Sequence, residues 1–218
     1  MVAVLLALLS AATYGIGDFC GGLAARRVSA TTVLLYSHIV GLTLLFSAAP
    51  LVAGSATGGD LLIGALGGLA GAAGVGFLYK GLSVGPMSVV APITALLSAA
   101  VPVVVGLLEG DRPSTWVAVG MVAALIAIVL VSLEGGPTPR SSDRRGVGFA
   151  LVAGLGFGFF FVALSHMGSD SGLWPLVAAR VASVSTVGAA ALTGRVPRAR
   201  PRRDARALTA GAGALDAA

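Results

Sequence analysis

Long apolar runs separated by short polar connections organise this chain. The runs cover roughly residues 2–25, 30–53, 61–80, 87–108, 114–133, 146–167 and 173–193. Each is close to the ~20 residues with which a helix crosses ~30 Å of hydrocarbon. The pattern predicts seven membrane-spanning helices and hence an all-α, polytopic helix bundle. An eighth apolar segment opens at Ala207, but the twelve residues from there to Ala218 reach only ~18 Å. It is expected to stop short of crossing, and the chain to be a fragment or the product of a truncated reading frame. The first run lacks a basic leader, carries Asp18 and exceeds the ~7–15 residues of a signal-peptide core, so it reads as a span.

Composition strengthens this picture. Of the 218 residues, 56% are hydrophobic and 11% charged, and the mean hydropathy of +0.97 lies far above that of a water-soluble domain. The 32 glycines and ten prolines interrupt apolar runs rather than form loops, a usage common in membrane helices. With Cys20 alone there is no internal disulfide and no CxxC chemistry.

The net charge of +5 would suit a nucleic-acid binder if the basic residues shared one folded face. They are instead scattered among the connections, which excludes that class. Arg26, Arg27, Lys80, Arg140, Arg144, Arg145 and the arginines from Arg195 to Arg206 flank odd-numbered connections. Arg112 is the basic residue of the even ones, beside Asp60, Glu109, Asp111 and Asp170. The positive-inside rule then expects odd connections in the cytoplasm and the N-terminus outside. Trp116 and Trp174, each just after an even connection, read as interfacial anchors. The proline- and arginine-rich stretch 195–206 reads as a cytoplasmic loop drawn to anionic headgroups.

The sixth run echoes the first. Tyr14-Gly15 matches Phe157-Gly158 at an offset of 143, and His38 of the second run falls on Arg180 of the seventh at 142. The restart follows a polar linker, 135–145. Residues 1–134 therefore read as one five-helix unit and 146–218 as an incomplete second copy. An odd number of helices per unit inverts the copy, an architecture suited to alternating access around a midplane site.

Several segments carry a family resemblance. They are Tyr14-Gly-Ile-Gly-Asp18-Phe19, the run Leu78-Tyr-Lys-Gly-Leu-Ser-Val-Gly-Pro-Met-Ser-Val-Val-Ala-Pro92, and Ala100-Val-Pro-Val with Leu108-Glu109 and Gly120. In these the chain resembles the EamA-type family of the drug/metabolite transporter superfamily. The resemblance implies ten helices in two inverted five-helix repeats and transport of amino acids, sugars, metabolites or drugs. It also implies a cytoplasmic N-terminus. The arginine distribution points the other way and, as a property of this chain, is given more weight.

Candidate chemistry concentrates in a few spans. Ser10, Thr13, Tyr14, Gly17, Asp18 and Gly21 recur at helical spacing and form one small and polar stripe on the first helix. A carboxylate within a span costs ~2.5–3.5 kcal/mol on insertion scales and belongs in a bundle interior or a water-filled path. Asp18 is thus the candidate for binding a proton or a cationic group, with Tyr14 one turn away as a donor. In the fourth span Pro92 and Pro102 are expected to kink the helix and free the carbonyls of Ser88 and Ser98, while Thr94 and Ser98 offer hydroxyls on one face. Spans one, three and four are expected to enclose the substrate. His38 and Arg180 stand at matching positions, where the resemblance implies a basic residue near the membrane boundary; Arg180 suits an anionic substrate. The glycines Gly64, Gly67, Gly68, Gly71 and Gly74 of span three read as close helix packing.

No GxSxG elbow, phosphate-binding GxxxxGK[ST] or HExxH occurs, and Gly15-Ile-Gly17 lacks the third glycine of a dinucleotide loop. No catalytic residue, metal ligand or cofactor is expected. The expected function is secondary transport of a small metabolite, amino acid or drug across the cytoplasmic membrane. The partners are that small molecule and the bilayer, with a homodimer open and nucleic acid excluded. The alternatives are a structural subunit of a membrane complex, or a membrane-embedded enzyme, which would need a base and nucleophile paired around His38 or Asp18.

Overall fold

A computed structural model of the protein describes residues 2–133, 141–192 and 203–215. Residues 135–140 of the linker and 195–202 of the basic stretch lie outside the described residues. Eight helices follow one another: α1 (Val2–Ala25), α2 (Ala30–Ala48), α3 (Gly58–Val84), α4 (Met87–Glu109), α5 (Thr115–Leu133), α6 (Ser141–Ser165), α7 (Trp174–Leu192) and α8 (Arg203–Leu215). A single 3₁₀ turn, Ala49–Leu51, follows α2. The described residues form no strand.

Each expected segment coincides with a helix, and the protein is a polytopic α-helical membrane bundle. Among the described residues six helices are long and apolar enough to cross a bilayer, namely α1–α4, α6 and α7; the apolar stretch of α5 described in full, Thr115–Ile128, is shorter. The helix ends differ from the apolar ends. Helix α3 runs 27 residues, past both expected limits, and α6 starts at Ser141 within the expected linker. Backbone hydrogen bonding continues through polar residues once a helix has nucleated, so hydropathy marks the crossing part and not the whole element.

Local chemistry fixes several ends. The Ser29 Oγ accepts from the Thr32 N–H at 3.2 Å and caps α2. At α3 the cap is reciprocal: the Asp60 N–H donates to Thr57 Oγ1 at 3.2 Å, and Asp60 Oδ2 accepts from the Thr57 N–H at 2.8 Å. Helix α4 runs unbroken through Pro92 and Pro102. It closes at Gly110, whose φ of 101° is the left-handed conformation that glycine adopts without strain.

The chain divides into two compact units, Met1–Leu69 with His166–Ala218, and Ala70–Ser165. In the first, α2 packs against α7 and α8, and α1 packs against α8. Leu45, Ala49 and Val177 form a buried cluster walled by Leu42, Leu173, Trp174 and Leu176, and Phe46 meets the Trp174 ring edge-on, centroids 6.4 Å apart. Small residues let backbones touch. A Cβ added to Gly68 would strike the backbone of Ala179, and one added to Gly213 would strike the backbone of Ser37. Gly64 abuts Pro175 in the same way.

This unit also fastens two even connections together. The Ser55 N–H donates to the Asp170 carbonyl at 2.8 Å, Asp60 Oδ1 accepts from the Gly168 N–H at 2.8 Å, and Gly54 lies against the backbone of Gly172.

In the second unit α4 packs against α5 and α6. Gly154 and Gly158 of α6 receive Leu97 and Val101 of α4, while Gly71 and Gly74 of α3 meet Phe160 and Phe157 of α6. Phe77 stacks on Phe149 with centroids 6.0 Å apart. The glycines of α3 and α6 are thus sites of close helix approach.

Exposed apolar side chains are abundant. On α1, Val4, Leu5, Leu6, Leu8 and Leu9 are each more than 60% exposed. Such a surface suits acyl chains and not water.

Candidate functional site

Helix α2 buries Thr32, Val33, Leu34, Ser37, His38, Gly41 and Leu45, a stripe at helical spacing. Helix α7 buries Pro175, Val177, Ala179 and Ser183. The two helices pack against one another, and a polar contact joins them. His38 Nδ1 and Ser183 Oγ are 2.8 Å apart, with His38 3% and Ser183 1% exposed.

This contact lies at the middle of both helices. His38 is the ninth of 19 residues in α2 and Ser183 the tenth of 19 in α7. At ~1.5 Å per residue each stands ~12–14 Å from the start of its helix. The structure thus places His38 in the helix interior, away from the boundary position that the family resemblance implies.

The hydrogen-bond network assigns the tautomer of His38. Ser183 Oγ also lies 3.0 Å from the Arg180 carbonyl oxygen, which can only accept, so the single hydroxyl proton is committed there. The hydroxyl oxygen must then accept from His38, whose proton resides on Nδ1. Nε2 is left as an acceptor. It is buried and has no hydrogen-bond partner among the described residues, a situation that costs about 1–3 kcal/mol in a native structure. Arg180, three residues before Ser183 and half-buried, is close enough to act electrostatically on the imidazole.

The first helix presents its expected stripe unevenly. Gly17 and Gly21 are buried and Asp18 half-buried, but Ser10 and Tyr14 are exposed. The Thr13 hydroxyl turns back onto the carbonyls of Leu9 and Ser10 at 3.1 and 2.8 Å. Asp18 lies seven residues before the end of α1 and His38 eight after the start of α2. Counted from their short connection, both sit at a depth of ~10–12 Å.

In the other unit Thr94 is 4% exposed, and its hydroxyl is buried with it. It donates toward the carbonyls of Val90, at 2.9 Å, and Ala150 of α6, at 3.3 Å. The Ser98 hydroxyl donates to the Ala95 carbonyl at 3.0 Å. Pro102 helps to line a cleft of about 430 Å³ with Gly106, Asp111, Arg112, Pro113 and Met121, at the α4–α5 connection. Neither Thr94 nor Ser98 is part of it.

Sequence reasoning singled out His38 and Arg180 but missed Ser183, which ties the first to the second. The available signal was the four-residue period Pro175, Ala179, Ser183 on α7. Asp60 was counted only as a loop charge, although Thr57 three residues before it is a capping-box spacing.

Neither a curated protein nor a solved structure matches the chain. A family model does match, over residues 1–133, a stretch that ends with α5. That match covers more than half of a chain already seen to be a polytopic helical membrane protein, and so the chain belongs to the EamA-like transporter family.

Proposed function

We propose that the protein is a secondary transporter of the cytoplasmic membrane that moves a small metabolite, amino acid or drug. Its mechanism is alternating access between inverted repeats, 1–134 and 146 onward, with Asp18 as the proton- or cation-binding carboxylate and Tyr14 as its neighbouring donor. The observation that carries this reading is a contact made twice. Gly68 of α3 abuts Ala179 of α7, and Gly213 of α8 abuts Ser37 of α2. Ser37 and Ala179 are 142 residues apart (179 minus 37), the same offset that relates His38 to Arg180. The glycines are 145 apart (213 minus 68). Exchange of the two sequence halves turns the first contact into the second to within three residues, about one helical turn. Helix α1 packs against α8 as α6 packs against α3, which the same exchange requires.

Paired contacts of this kind suit a carrier whose two repeats exchange roles during alternating access. Asp18 supports the coupling role as a half-buried ionisable group within a membrane-spanning helix, a place where such groups mark proton and ion paths. The test is flux in proteoliposomes across a pH gradient, for a panel of amino acids and cationic drugs, with wild-type protein and Asp18→Asn. Gradient-driven flux that the variant loses is expected. Undiminished, gradient-dependent flux in the variant would remove Asp18 from the mechanism. Absence of flux for every solute would favour a structural subunit.

A further inference from the structure

We infer that the crossing of α2 and α7 is a solute-binding site in which His38 Nε2 accepts a hydrogen bond and Arg180 holds negative charge. The solute it takes is a small anion that also carries an O–H or N–H donor. Four observations converge. The imidazole is almost completely buried, Ser183 fixes its proton on Nδ1, and Nε2 is an unpartnered acceptor among the described residues. Arg180 lies one turn from Ser183 on α7 and within electrostatic reach of the ring.

The location adds to this. The His38–Ser183 pair is at the centre of two 19-residue helices, the level at which carriers of inverted-repeat design hold their solutes. His38 and Arg180 are also equivalent positions under the 142-residue offset. The two halves thus contribute different groups to one place, an acceptor from one and a cation from the other. A solute with a donor beside an anionic group satisfies both at once. A neutral polar solute engages only the imidazole, and a plain carboxylate only the guanidinium.

The inference rests on the transport reading only for what the bound solute is for. It is tested by nitrogen-15 NMR of the histidine-labelled full chain in nanodiscs, with His166→Gln used to assign the His38 signals. Nδ1 is expected to carry the proton and Nε2 to be unprotonated. Of the probes lactate, glycerate and glycerol 3-phosphate, each an anion with a donor, at least one is expected to shift the Nε2 signal. Propionate, which lacks the donor, and ethyl lactate, which lacks the charge, are expected to leave it in place. Arg180→Gln should keep the tautomer while weakening probe binding by roughly thirtyfold or more.

A proton-bearing Nε2, silence to all three probes, or an equal response to propionate overturns the site. If vesicles carry flux while His38 stays silent, the site falls and the carrier stands. A responsive His38 in vesicles without flux upholds the site and removes the carrier.

Discussion

His38 Nδ1 and Ser183 Oγ approach to 2.8 Å across 145 residues of sequence, and this bond is the polar contact at the centre of the α2–α7 interface. Ser183→Ala strands a buried Nδ1–H, for which the expected loss is about 1–3 kcal/mol of stability. A double-mutant cycle with His38→Leu, read by unfolding in detergent, should return a coupling of about 0.5–3 kcal/mol. Additive single effects would mean that the contact contributes nothing.

The paired glycine contacts make a steric prediction. Gly68→Ala and Gly213→Ala each place a methyl against the backbone of the facing helix, where the partner has no rotamer to yield, so each should cost about 1–3 kcal/mol. Gly15, Gly120 and Gly188 have open space where a Cβ would stand. Gly120→Ala should be neutral or stabilising by up to ~1 kcal/mol through helix propensity. The yield of monodisperse protein after heating would rank the variants.

Asp60 acts at two places through its two oxygens, capping α3 at Thr57 and holding Gly168. Asp60→Ala should therefore raise amide hydrogen exchange at Gly168 as well as at the first turn of α3. Thr57→Ala, which removes only the cap, should cost about 0.5–2 kcal/mol and leave Gly168 protected. Equal exchange at Gly168 in both variants would contradict the division of labour.

The Thr94 hydroxyl is directed at two carbonyls, one on its own helix and one on α6. Thr94→Val keeps the shape and removes those bonds. It is expected to change stability by about 1 kcal/mol and to leave the relative uptake of different solutes unchanged in vesicles. A changed solute preference would place Thr94 in the binding site.

The helices were legible in the sequence because bilayer thickness sets their length, and one long apolar run admits no other regular structure in lipid. The packing role of Gly64, Gly68, Gly71 and Gly74 was equally legible, since their spacing leaves few other uses. The stripe on α1 was less informative. Its residues share a face by geometry alone, yet Gly17 and Gly21 are covered and Ser10 and Tyr14 are not. Which neighbour covers a face depends on how helices distant in sequence assemble, and no local period encodes that. Ser183 was missed for the same reason. A serine near the middle of an apolar helix has no distinguishing mark until α2 brings an imidazole to it.

That long sequence separation has a consequence in time. At ~5–20 residues per second the ribosome needs roughly 7–30 s to travel from His38 to Ser183, a gap of 145 residues. Longer still must pass before Gly213 arrives beside Ser37. Throughout that interval the polar side of α2 lacks the surfaces that finally bury it. The nascent chain must therefore hold an imidazole and two hydroxyls against lipid or against the insertion machinery. A cell that slows translation between α2 and α7 would prolong the stage at which this protein is most exposed to quality control.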